Sequence, residues 1–117
     1  MKYRKFIFLL VLLFTPAIVH SHSSMISSFP AKNEVLSKSP EKVVLEFKEA
    51  VEPAFSKIEV FRSDNTKVSQ KTQFSKEDKI MEAGLKKSLP PGEYKVKWKI
   101  LSLDGHKLSG KYTFTIE

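Results

Sequence analysis

The chain has 117 residues, with 20 Lys plus Arg against 13 Asp plus Glu, a formal net charge of +7, 41% hydrophobic residues and no cysteine. That length admits one small domain and excludes a multidomain enzyme. The absence of Cys excludes disulfides, thiolate metal sites, cysteine nucleophiles and lipid-modified cysteines.

The chain opens on Lys2, Arg4 and Lys5, followed by the apolar run Phe6 to Phe14, the helix breaker Pro16 and the short residues Ala17-Ile18-Val19-His20-Ser21. A basic start, an apolar core too short to span a bilayer and small residues at a cut site read as a secretory signal peptide. Val19 and Ser21 fit positions −3 and −1, so residues 1–21 are expected to leave and His22 to become the N-terminus. Cuts after Ala17 or after Ser23 stay open, and the second would remove His22. With cleavage at Ser21, 96 of the 117 residues remain, carrying 17 basic and 13 acidic residues, a net +4. The remaining lysines look spread along strands as a solvated face, which removes most support for nucleic-acid binding. No other segment approaches a membrane span.

The body reads as all-β. Val43, Leu45 and Phe47 alternate with Val44, Glu46 and Lys48 between Pro40 and Pro53. Ile58 and Val60 alternate with Lys57 and Glu59, and Ser63-Asp64-Asn65 supplies a turn. Residues 75–89 are ambiguous, with either a strand around Ile80 or a short helical turn. Pro90-Pro91-Gly92 breaks the chain before the clearest strand, in which Tyr94, Val96, Trp98 and Ile100 face one way and Lys95, Lys97 and Lys99 the other. Tyr112, Phe114 and Ile116 repeat the pattern at the end. Short strands with one apolar face each need two sheets, so a Greek-key β-sandwich or small barrel of about seven strands is expected.

Few residues are left to carry chemistry. His22 at a new N-terminus offers an α-amine and a ring Nδ1 to one metal. Asp104 and His106 flank Gly105, so a tight turn could aim both at one point. Three nitrogens and a carboxylate oxygen in a tetragonal set suit Cu(II). Asp-Gly-His read alone is most often an ordinary turn with an exposed His. Four glycines hold no phosphate-binding loop, and the pairs Glu46/Glu49 and Glu49/Glu52 read as surface charges, so hydrolase chemistry is not expected.

Several segments, in order, resemble the CopC family of periplasmic copper-binding proteins. They are His22-Ser23-Ser24 to Pro30-Ala31; Leu45-Glu46-Phe47-Lys48-Glu49-Ala50-Val51-Glu52-Pro53-Ala54-Phe55; Leu89 to Trp98; and Leu101 to Phe114 with Asp104-Gly105-His106 inside. The resemblance implies an Ig-like or cupredoxin-like sandwich binding one Cu(II) through His22, Asp104 and His106, with Glu49 hydrogen-bonding a ligand histidine. Trp98 is assigned to the core. Some members of the family carry a Met-rich Cu(I) loop, whereas residues 63–74 here contain no Met. No separate Cu(I) site is therefore expected, and blue copper is excluded for want of a Cys thiolate.

The expected function is that of an exported, periplasmic or extracellular copper chaperone or buffer, monomeric and not an enzyme. It would hand copper to a membrane copper transporter of the CopD type on a separate chain. The competing readings are a small histidine-brace copper enzyme and a metal-free β-sandwich interaction module.

Overall fold

Alternating apolar side chains pair the strands face to face. The computed structural model describes residues 25–117. Strands β1 (Met25–Phe29), β3 (Lys42–Phe47), β6 (Ile80–Leu85) and β5 (Ser69–Ser75) form one sheet in the order β1-β3-β6-β5. Strands β2 (Val35–Leu36), β8 (Lys107–Ile116), β7 (Gly92–Leu101) and β4 (Lys57–Arg62) form the other, in the order β2-β8-β7-β4. The eight strands of this sandwich exceed the expected number by one, and a single 3-10 turn, Pro53–Phe55, interrupts them among the described residues.

The core lies where the expected inward faces meet. Val43, Leu45, Phe47, Val60, Met81, Ala83, Val96 and Phe114 are sealed from solvent. Tyr94 stacks on Phe114 with ring centroids 5.5 Å apart, and its hydroxyl donates to the Pro90 carbonyl at 2.5 Å, fixing the start of β7. Trp98 meets Phe47 edge to face across the two sheets at 5.5 Å and is partly buried, as its place in the alternation requires. Its cross-strand partner is Gly110, and a Cβ there would fall 2.5 Å from the indole. The glycine leaves the space that the ring fills.

The ambiguous stretch resolves into β6, preceded by a turn in which Lys76, Glu77 and Asp78 all take positive φ. Strand β5 has the polar sequence SQKTQFS and no apolar period. Its side chains do other work: Ser69 Oγ accepts the Val60 N–H and Thr72 Oγ1 the Ile58 N–H, each at 2.9 Å. These bonds cap the free edge of β4 from the opposite sheet, so one side of the sandwich is closed like a barrel.

Candidate metal centre

The connection between β7 and β8 is built around a buried hydroxyl. Ser102 is 2% exposed, although the residues on its C-terminal side all face solvent. Its N–H donates to the His106 carbonyl at 2.9 Å, and its carbonyl accepts the Gly105 N–H at 2.9 Å. Its Oγ accepts the His106 N–H at 3.1 Å and also contacts the Asp104 carboxylate at Oδ1. Gly105 turns the chain with φ +89°, a conformation open to glycine. The tight turn therefore aims Asp104 and His106 together, and Nδ1 of His106 lies 3.0 Å from Oδ1 of Asp104. The Ser102 hydroxyl, followed by the His106 side chain, holds the Asp104 carboxyl below its usual range.

A second segment braces this loop. Val51 bridges Ser102 in antiparallel sense, Glu52 N–H donates to the Leu101 carbonyl at 2.7 Å, and Leu103 N–H reaches the Ala50 carbonyl at 3.4 Å. Buried Ser56 accepts the Leu101 N–H at 3.1 Å. Glu49 precedes this bracing segment by one residue. Glu49 is exposed.

The first described strand begins at the same end of the sandwich. Met25 pairs with Phe47, the last residue of β3, from which residues 48–52 run on to the Asp-Gly-His loop. His22 lies outside the described residues, as do residues 1–21. Among the described residues no group of three or more His, Cys, Asp or Glu converges. Asp104 and His106 come together as a pair.

Met81 is fully buried and Met25 packs on the core, which makes both hydrophobes of the sandwich. Ser102 was not among the expected site residues. A buried Ser two positions before Asp and four before His is the local pattern that could have pointed to it.

Residues 25–117 match the family described as the CopC domain. The chain is 38% identical over 112 residues to the copper transport protein CutJ of Bacillus subtilis, covering 94% of this chain and 21% of the relative. It therefore spans about a fifth of that protein's length. It is 36% identical over 107 residues to protein YobA of Escherichia coli, covering 90% of this chain and 86% of that one. Among solved structures, CopC from Methylosinus trichosporium OB3b superposes with a TM-score of 0.75 at 32% identity, covering 82% of this chain and 94% of that one. PcoC, a methionine-rich copper resistance protein from E. coli, superposes with a TM-score of 0.72 at 29% identity, covering 83% of this chain and 100% of that one.

Proposed function

The chain belongs to the CopC domain family, and we propose that it is an exported Cu(II)-binding protein acting as a copper chaperone or buffer in copper homeostasis or resistance. One Cu(II) per chain is held by the amine and Nδ1 of His22 together with Asp104 and His106. Residues 1–21 act as the signal peptide and residues 22–117 as the working domain, in the periplasm or outside the cell.

The observation that carries the reading is the 3.0 Å separation of Asp104 Oδ1 and His106 Nδ1. Two donors bound to one ion at about 2.1 Å each, at a right angle, stand about 3 Å apart. The loop spacing therefore suits adjacent positions of a tetragonal site. Met25 follows His22 by three positions, a reach of at most about 10 Å, and β1 starts at the end of the sandwich where the loop lies. Glu49, next in the chain to the segment that braces the loop, serves as the carboxylate that orients a ligand ring once the site is filled. Relatives named for copper transport and copper resistance support copper as the cargo.

The role is binding rather than catalysis. A carboxylate ligand beside His106 takes a coordination position that oxygen chemistry needs open. The copper passes to a membrane copper transporter of the CopD type on another chain, and the protein works as a monomer. The test is the intact mass of the exported protein with a one-equivalent Cu(II) titration. A mass starting at His22 and one tightly bound ion support the proposal; a start elsewhere, or copper held no better than by free histidine, sinks it.

A further inference from the structure

In the sequence the lysines look dispersed, at every second residue in β7 and four residues apart in β8. The sheet gathers them. The outward positions of β4, β7 and β8 carry Lys57, Lys95, Lys97, Lys99, Lys107 and Lys111, all exposed. In register, Lys57 stands opposite Lys99 and Lys97 opposite Lys111. The acidic residues on this face are Glu59, held by Lys57 at 2.8 Å and Lys67 at 3.3 Å, and Glu93 at the far end of β7. The outer face of the other sheet is mixed, with Lys42 paired to Glu82 at 3.3 Å and Val44, Glu46 and Ile80 beside them. Like charges directly opposite one another destabilise a sheet.

We propose that this lysine face binds the surface of an anionic lipid bilayer. The face is an open sheet about three strands wide, roughly 10 Å across, and it presents a plane of charge rather than a groove. Its cations are all ammonium groups on flexible stems, which suit a fluid layer of headgroup phosphates that has no fixed fork geometry. Its aromatic ring, Phe61, lies under the Lys97 ammonium at 5.3 Å. One half-buried ring with an ammonium over its face is a poor stacking platform for successive bases of single-stranded nucleic acid. Charge complementarity thus favours a headgroup layer over a polynucleotide. The inference does not depend on copper, since none of the six lysines is a proposed ligand.

The test is sedimentation of the full processed protein, metal-free and copper-loaded, with vesicles of phosphatidylglycerol and phosphatidylcholine or of phosphatidylcholine alone. Binding is expected to the anionic vesicles only, falling as salt is raised from about 50 to about 150 mM. The double substitution Lys97→Gln/Lys111→Gln should lower partitioning by about tenfold or more. Lys86→Gln/Lys87→Gln, the same charge change on the exposed β6–β7 connection, should leave it nearly unchanged. Lys111→Glu should lower partitioning while raising the thermal midpoint, because it relieves Lys97; a merely misfolded variant would lose both. Absence of binding to anionic vesicles at low salt overturns the proposal. So does equal loss in the two double variants, or tighter binding to polyglutamate or duplex DNA than to vesicles at equal charge concentration. Copper binding is read separately, so failure here leaves the metal site standing.

Discussion

His106 Nδ1 and Asp104 Oδ1 lie 3.0 Å apart across Gly105, and both residues are tied to the hydroxyl of buried Ser102. The loop is therefore organised from its buried side while its donors face solvent. Ser102→Ala would keep the sandwich but release the His106 N–H and the Asp104 carboxylate from their common anchor. Cu(II) affinity is predicted to fall 10- to 100-fold, read by competitive titration, with far-UV circular dichroism unchanged. Replacing Asp104 by Asn should give a loss of similar size, since it removes the anionic donor while preserving the turn.

Trp98 lies over Gly110, and an added methyl would meet the indole at 2.5 Å. Gly110→Ala forces the ring off Phe47 or bends β8, at a cost of about 1–3 kcal/mol typical of overpacking. Thermal unfolding should register the loss, and the Trp98 emission should shift red as the ring becomes more exposed. Trp98→Ala on its own would leave an unfilled space beside Phe47.

Tyr112 carries the opposite problem. Its hydroxyl is buried without a well-formed hydrogen bond among the described residues, and the Ser28 side chain beside it offsets only part of the effect of burial. Burial pushes its phenol up to about 12 from 10.0. The folded value lies above the unfolded one, so the stability tied to the neutral phenol is complete below pH 10 and is lost as pH climbs from about 10 to about 12. Tyr112→Phe should therefore flatten the alkaline part of the stability curve. At neutral pH it should also raise stability by about 1 kcal/mol, by removing an unsatisfied buried group. Urea unfolding at pH 7 and at pH 11 measures both effects.

Much of the sandwich was legible because its central strands obey a period of two. Val43-Leu45-Phe47, Ile58-Val60, Tyr94-Val96-Ile100 and Tyr112-Phe114-Ile116 all point inward as their alternation requires. Strand β5 was not legible, because Ser69 and Thr72 are spent on the edge of β4 rather than on the core. The β6 segment was blurred by Ala83 and Gly84, which carry little strand signal. At the site, Asp104 and His106 meet as their spacing suggested. The bracing of the loop depends on the Val51–Ser102 bridge, a contact between residues 51 positions apart that no local pattern encodes. The lysines, spread along their strands, come to share one sheet face for the same reason: adjacency across strands is set by register, not by sequence.

The proposed amine and imidazole donors must shed their protons to bind copper. Apparent Cu(II) affinity is predicted to rise steeply between about pH 5 and about pH 8. A chelator competition at three pH values checks the slope, and a flat profile would point to carboxylate ligands alone.

The central claim is that His22, Asp104 and His106 share one Cu(II). The most direct measurement is the EPR spectrum of the processed protein with one equivalent of Cu(II), compared with His106→Ala and Asp104→Asn. A tetragonal spectrum with three nitrogens and one oxygen, altered by each substitution, is the predicted result. A spectrum that neither substitution changes would place the copper on the N-terminus alone and contradict the account.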